Sequence, residues 1–407
     1  VSITSGIDWA EAHHDVALLD DAGHVLVRAR IDTGVPGFTE LMGVLTEHAE
    51  DPASVPVAVE TDKNLLVVAL QAAGLTVYPI NPRAVARYRE RHSQSGKKSD
   101  PGGAAVLADV LRTDRHQHRP LPVISDQGLA VKALARQHQE AIWGLHETTG
   151  KLRSVLLEFY PQALRAFPNL RHKAALTILA AAFTPELGQR LTSRKVIALL
   201  HRCGRRNDPA LVERILRELK TPALRQCGPV ETALGHTVVA LIGILTAMHA
   251  AVERLEQALA VELDAHPLAP VLRSAPGLGP VLAARVLAEV GDDAGRFTSA
   301  AGLRAFAGTA PVTRASGRSR RVSARRIRNK RLADACHWWA FAMLTKSAGA
   351  RAHYDRRWAA GDHHNAALRN LANKALGHMW WCLQNGEQWD ENSAWDSNTD
   401  HRETPAA

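Results

Sequence analysis

Over roughly the first 80 residues, apolar and polar positions alternate in short runs, the pattern of half-buried strands. "SITSGIDWA", "DVALLDD" and "HVLVRARI" are three such runs, and Asp21-Ala22-Gly23 makes a hairpin connection between the second and third. Helical spacing then covers Phe38 to Ala49, followed by the apolar strand "VPVAVE" and a helix from Lys63 to Ala73. The strand "LTVYPI" and a helix opening after Asn81-Pro82 complete this region. Three meandering strands followed by strand–helix alternation predict a mixed sheet flanked by helices.

From about Ser125 the spacing becomes that of long helices. Ile142, Leu145, Thr149, Leu152, Leu156 and Phe159 follow 3-4 steps, and a heptad runs through Val238, Leu241, Leu245, Met248, Val252, Leu255 and Leu259. Antiparallel pairing within the chain, a helical dimer contact and the core of a bundle all produce this spacing. A third region opens at "SAPGLGPVLAARVLAEVGD" and closes with two amphipathic helices, "LADACHWWAFAMLTK" and "NAALRNLANKALGHMWWCLQ". From about Asp390 the chain is polar and is expected to be disordered. The expected segments are therefore 1–124, 125–265, 266–389 and a tail, 390–407.

Composition narrows the class. The 407 residues are 46% hydrophobic and 22% charged, as in ordinary globular proteins. By eye no apolar run approaches the ~18 residues of a bilayer span. The stretch "VSITSGIDWAEAHHD" has neither a basic start nor a signal-like segment, so a cytoplasmic protein without a membrane partner is expected. Four scattered cysteines, Cys203, Cys227, Cys336 and Cys382, form no C-x-x-C pair and are expected to be reduced. Twenty histidines include the pairs His13-His14 and His363-His364, but no i, i+4 ligand pattern, which argues against zinc.

Charge adds a partner. Of the net +9, the run "RASGRSRRVSARRIRNKR" from Arg314 to Arg331 holds nine Arg or Lys and no acid, so the remainder is close to neutral. A localised cationic stripe points to polyphosphate, most simply nucleic acid, against the alternative of a solvated basic loop. "NPRAVARYRERHSQSGKK" is a second basic stretch, with six Arg or Lys against one Glu. Arg83, Arg87, Arg91, Lys97 and Lys98 are candidate RNA-backbone contacts, with Tyr88 for stacking. In "PGLGPVLAARVLAEVG", Gly277 and Gly279 suit a helix-hairpin-helix turn whose N–H groups approach a phosphate, or a tight turn between packed helices.

Acids at strand ends carry the candidate chemistry. Asp8 sits within an apolar first strand and Glu60 terminates "VPVAVE". A charge in a buried strand is costly without a partner or cation. If the two strands are neighbours, both carboxylates stand at one sheet edge. Asp100, an expected N-cap with Pro101 at the first helical position, is a candidate third. Oxygen ligands of this kind suit Mg²⁺ (or Mn²⁺), and paired ions serve in-line phosphodiester displacement.

At this point a resemblance emerges. "GIDWAEAHHDVALLDDAG", "VAVETDKNLLVVALQAAG", "VYPINPRAVARYRERHS" and "KKSDPGGAAVLADVLRTDRH" resemble successive blocks of the DEDD transposases of insertion sequences of the IS110 type, known as bridge-RNA-guided recombinases. "SAPGLGPVLAARVLAEVGD", "FTSAAGLRAFAGTAPVTRASGRSRR" and "NKRLADACHWWAFAML" continue it, so it spans residues 3 to 385. The resemblance implies an N-terminal RNase H-like (RuvC-like) mixed α/β domain with four acids holding Mg²⁺. A helical coiled-coil insertion and a mainly helical C-terminal transposase domain with a nucleophilic serine would follow. Implied partners are target and donor double-stranded DNA, a non-coding bridge RNA and further copies of the chain, as a homotetramer. Implied too is a bacterial-type, nucleoid-associated location.

Carried over by motif, the acids are Asp8, Glu60 and Asp100, and the fourth falls three residues later, at Gly103. Glycine removes a ligand charge and loosens the helix start, so weakened Mg²⁺ binding and reduced cleavage are expected. Asp109, two and a half turns beyond Asp100, faces away. The motif places the serine in "APVTRASGRSRR", best at Ser316, with Ser319 and Ser323 competing. Arg314, Arg318 and Arg320 are expected to hold the phosphate, with Arg321, Arg325 and Arg326 as further nucleic-acid contacts. The competing expectations are a junction-resolving nuclease without a serine adduct, and a catalytically dead RNA/DNA-binding remnant.

Overall fold

A computed structural model describes residues 2–92, 100–205 and 208–395, leaving the side chains of residues 91, 92, 100 and 101 outside the description. The chain divides into two compact units, Val1–Val123 and Ile124–Ala407.

The first unit runs β1 (Thr4–Trp9), β2 (His13–Leu19), β3 (Val25–Asp32), α1 (Val35–His48), β4 (Val57–Val59), α2 (Leu65–Ala72), β5 (Val77–Pro79), α3 (Pro82–His92) and α4 (Asp100–Asp114). Its sheet has the order β3-β2-β1-β4-β5. The first three strands pair antiparallel, while β1–β4 and β4–β5 are parallel. This is the mixed sheet that the alternation predicts. The β2–β3 turn forms because Gly23 accepts a φ of 88° and the Asp20 carboxylate takes the His24 N–H at 2.8 Å.

Strand periodicity sends alternate residues to two different layers. Ile7, Val16, Leu18, Val57 and Val59 pack with Leu41 and Leu45 of α1 and Val67 and Leu70 of α2. Ala17, Leu19 and Ala58 face the other way, against Ala104, Leu107, Ala108 and Leu111 of α4.

The second unit is nearly all helix. It contains α5 (Asp126–Phe159), α6 (Pro161–Ala166), α7 (Lys173–Ala181), α8 (Pro185–Gln189), α9 (Ser193–Arg202), α10 (Pro209–Lys220) and α11 (Gly228–Asp264). Then come α12 (Ala269–Ser274), α13 (Pro280–Val290), α14 (Ala300–Ala307), β6 (Val312–Ser316) and β7 (Ser319–Ser323). Last are α15 (Lys330–Met343), α16 (Ala348–Ala359), α17 (His364–Asn385) and α18 (Glu391–Trp395).

Helices α5 and α11 pair antiparallel. His138 meets Glu256 at 3.0 Å near one end, and Gln226 reaches the Glu158 carbonyl at 3.4 Å near the other. Val238, Leu245, Val252 and Leu259, seven residues apart, are buried. The heptad is therefore explained by pairing within the chain. Both helices supply two cores: one with α6 to α10, the other with α12 to α17.

Two expectations change. An 18-residue window of α11 has mean hydropathy 1.7, so this helix is long and apolar enough to cross a membrane by length and composition. The buried heptad against α5 accounts for part of that apolarity. The expected disordered tail, in turn, begins with an ordered segment: α18 docks its Trp395 against Gly349, where a Cβ would meet the indole at 2.1 Å. The rest of that tail, 396–407, lies outside the described residues.

A buried polar network ties α5, α11, α13 and α15 together. Arg285 donates to His138 Nδ1 at 3.1 Å, so that nitrogen is the acceptor and Nε2–H is left to donate to Glu256. Burial also pushes the His138 pKa down, which keeps the ring neutral. Arg136 grips Glu289 with two bonds, of 2.8 and 3.0 Å, and Asn329 donates to the same carboxylate at 2.7 Å while capping α15. Burial opposes the charge on Glu289, yet Arg136 and Asn329 hold its carboxyl below the usual range.

A carboxyl with a depressed folded-state pKa stabilises the fold above its unfolded pKa, and that stabilisation fades as pH falls through the folded value. Glu289→Gln, which removes the charge that half-buried Arg136 grips inside the fold, should cost about 2–4 kcal/mol in urea unfolding at pH 7. The gap from wild type should narrow as the pH is lowered through the acid range. A constant gap down to acid pH would contradict this role for the carboxylate.

Candidate metal and nucleic-acid sites

Close backbone approach builds the acidic site. A Cβ on Gly6 of β1 would stand 2.1 Å from the Ala104 carbonyl oxygen and 2.5 Å from the Ala108 nitrogen of α4. Strand and helix therefore touch with no side chain between them. Asp8, two residues beyond Gly6, faces the same helix. At its N-terminal turn, a Cβ on Gly103 would lie 2.0 Å from Asp8 Oδ2. The Asp8 carboxylate occupies the space that any side chain at 103 would need.

Glu60 joins from the other side. Strands β1 and β4 pair in parallel as far as Ile7↔Val59, and Asp8 and Glu60 are the next residues along the two chains. Ala58 faces α4, and Glu60 stands in the bend just past the end of β4. Both acids are half-buried. Helix α4 opens at Asp100, one turn before Gly103, rather than after it as an N-cap would require. The Asp100 carboxylate itself, cap or ligand, lies outside the described side chains. Among the described residues, no three His, Cys, Asp or Glu side chains gather closely enough to hold a metal ion by themselves.

Sequence reasoning missed Asp15. It is the cross-strand partner of Asp8 on β2, and directly opposed residues share a face. Arg30 on β3 holds it with bonds of 3.1 and 3.2 Å. The Asp15–Arg30 pair thus neutralises one carboxylate beside Asp8. Three polar residues followed by four apolar ones in "HHDVALL" give no alternation that marks Asp15. Asp109 takes Arg112 of its own helix at 2.6 Å, away from the acids, as helical phase requires.

The arginine-rich run is a hairpin rather than a loop. Strands β6 and β7 pair with Ser316↔Ser319 closing a two-residue turn, Gly317-Arg318, with Gly317 at φ 55°. The ribbon is exposed along most of its length. Its register sorts the arginines. Arg314 and Arg321 are paired and share the Ser316 face, whereas Arg320, paired with Ala315, lies on the opposite face. Arg321 therefore replaces Arg320 among the expected partners of Ser316, and Arg318 sits in the turn. Ser319 stands opposite Ser316, while Ser323 pairs with Val312 at the far end of the ribbon. Arg325 is half-buried and its carbonyl accepts from Arg328, while Arg326 is exposed.

The remaining candidates divide. Arg83 and Arg87 are exposed one turn apart on α3. Tyr88 is corrected: it packs against the core of Val85 and Leu111, and its hydroxyl bonds Thr113 and Asp114 at the end of α4. A half-buried ring tied at its tip is not presented for stacking. Arg91's side chain and all of Lys97 and Lys98 lie outside the described residues. Gly277, at φ 81°, is required for packing, since a Cβ would meet the α15 backbone at 3.0 Å. Gly279 faces open space at the start of α13.

One cluster has catalytic residue types in an unproductive order. Asp292 accepts from both the Ser125 hydroxyl and His266 Nε2, so serine and imidazole do not meet. Ser125 instead caps α5.

One unit is a mixed sheet with Asp8 against the N-terminal turn of α4, and the other carries an exposed cationic β-ribbon of the kind that meets a polyanion. Residues 5–161 match the DEDD transposase model of IS110 type, and residues 269–355 match the model described as "Transposase IS116/IS110/IS902 family". The chain is 46% identical over 97% of its length to the "Mini-circle putative transposase for IS117" of Streptomyces coelicolor, covering 97% of that protein. It is 29% identical to the "Insertion element IS110 uncharacterized 43.6 kDa protein" of the same organism, over 95% of each. With the "Insertion element IS900 uncharacterized 42 kDa protein" of Mycobacterium paratuberculosis it shares 26% identity over 94% of this chain and 96% of that one. The chain belongs to the IS110-type DEDD transposase family. As a transposase it acts on DNA, and the DEDD-type domain suggests divalent-metal use.

An acid at 103 would stand against Asp8, and two carboxylates so close repel unless a cation lies between them. Gly103→Asp should therefore melt below wild type in EDTA. Mg²⁺ should raise its midpoint more than it raises the wild type's, since ligand at 100 times its Kd stabilises a binding protein by ~2.7 kcal/mol in total. The neutral Gly103→Asn should lack this extra response; equal Mg²⁺ responses in all three proteins would separate position 103 from metal binding.

Proposed function

We propose that this transposase is an RNA-guided recombinase that cuts and rejoins DNA through a serine ester. The observation that carries the reading is the hairpin tip: Ser316 stands exposed, with Arg314 and Arg321 on its own face. A serine hydroxyl is a poor nucleophile unaided, and flanking guanidinium groups offset the charge that develops on an attacked phosphate. Ser316 Oγ attacks phosphorus and a deoxyribose hydroxyl leaves. Reverse attack by the hydroxyl of the exchanged strand restores the serine.

Asp8 and Glu60, with Asp100, are the residues that would hold Mg²⁺ or Mn²⁺. An all-carboxylate set suits a hard divalent cation. When bound, the ion supplies positive charge to the phosphate and lowers the pKa of attached water. Gly103 leaves this set one charge short, which lowers affinity and slows cleavage. It also favours a second reading, a non-cleaving RNA/DNA-binding remnant.

The guide is a non-coding bridge RNA, for which the exposed Arg83 and Arg87 supply backbone contacts. Target and donor duplexes are its DNA partners, and an exposed two-stranded ribbon is of a size the major groove admits. Strand exchange between two duplexes needs several copies of the serine, and a homotetramer provides them.

RNA copurifying with the transposase should be one structured species encoded beside its gene; a random cellular mixture would remove the guide. With that RNA, donor and target DNA, the Gly103→Asp protein should form a covalent adduct that survives denaturation. Ser316→Ala in that background should abolish it. Persistence in Ser316→Ala with loss in Ser319→Ala would move the nucleophile across the ribbon, and no adduct in any version would favour the remnant.

A further inference from the structure

Beyond the hairpin, one helix of the second unit carries aromatic rings on its solvent side. Lys330, Asp334, His337, Trp338 and Phe341 follow the 4-3-1-3 spacing of a single face of α15, while Trp339 points inward and is fully buried. Trp338 and Phe341 are 46% and 49% exposed, which is unusual for side chains of this size. They touch edge to face with centroids 6.1 Å apart, and His337 lies 5.5 Å from Trp338. His364 continues the ledge from Phe341 at 6.4 Å.

This ledge borders a concave pocket of about 590 Å³. Trp143 of α5 and His337 supply ring surface there, and Arg326, Arg328, Lys330 and Arg369 supply charge. Asp334 is the acid in the lining, and it is already engaged by Gln139 at 2.8 Å and Arg285 at 3.4 Å. Arg331 stacks on Trp143 at 5.2 Å without lining the pocket. The size falls within the roughly 300–1,000 Å³ of small-ligand sites.

We infer that this pocket receives an unpaired nucleotide of a nucleic-acid strand, whose neighbours run over the Trp338–Phe341 ledge. Four cations around two aromatic surfaces match a base with its phosphate, and sequence-tolerant stacking with a basic track is how single strands are held. A duplex has no free base face for the ledge or the pocket. The inference rests on the chain being a nucleic-acid enzyme, but requires neither Ser316 nor the metal carboxylates. A protein that never cuts DNA can still bind here, so the two readings fail separately.

The test uses the full-length protein with oligonucleotides carrying a single 5-iodouracil, as single-stranded DNA, single-stranded RNA and the matched DNA duplex. Irradiation should crosslink single strands to Trp143, His337 or Trp338 by peptide mass spectrometry, and the duplex far less. The more efficient of the DNA and RNA arms identifies the source of the strand. Arg369→Ala and Trp338→Ala, each checked for an unchanged melting midpoint, should weaken single-strand binding on the order of ten-fold. The hairpin variant Arg314→Ala/Arg321→Ala should retain the pocket crosslinks. Crosslinks confined to β6–β7, or unchanged single-strand affinity in both pocket variants, would overturn the assignment.

Discussion

The acidic site depends on a backbone-to-backbone contact. Gly6 lets β1 lie directly against α4, where any side chain would strike the Ala104 carbonyl. Close packing of this kind leaves no room for adjustment, because interiors are as dense as organic crystals. It therefore sets where Asp8 stands relative to the start of α4. The overlap of Asp8 with position 103 follows from that contact, while the nearness of Glu60 in the sheet comes from the parallel pairing of β1 with β4.

The second unit answers a different constraint. Its long helices α5 and α11 cannot bury an apolar stripe alone, so they bury it against each other and send their ends into two separate cores. The partly buried ion pairs Arg136–Glu289 and Arg285–Asp334 link α5 to α13 and α13 to α15. Through Asn329 they reach the cap of α15, next to the arginine-rich run. Rigid support beneath an exposed cationic ribbon is what a site that must hold a phosphate at a defined position needs.

Much of the first unit was legible. Short apolar runs bounded by turn residues located the strands to within a few residues, because β1, β2 and β4 are buried between helix layers on both faces. Asp8 and Glu60 stood out because charge in such strands is expensive. Other features were not legible for identifiable reasons. The hairpin hid in a run dominated by arginine, where solvent-exposed strands lack the apolar alternation that reveals buried ones. Tyr88 was read as a stacking residue from its basic neighbours, yet helical phase turned it toward Asp114. Asp15 escaped notice because only its register with Asp8 gives it meaning.

By itself, the sequence determined the strands of the first unit, the long helices and the family, since these depend on residue order, spacing and identity along one chain. Only the tertiary structure decided that Gly103 faces Asp8, that Arg321 rather than Arg320 shares the Ser316 face, and that α15 turns aromatics outward beside a cationic pocket. These are relations between elements, created by packing and strand register, and local spacing carries no information about which distant backbone an element will meet.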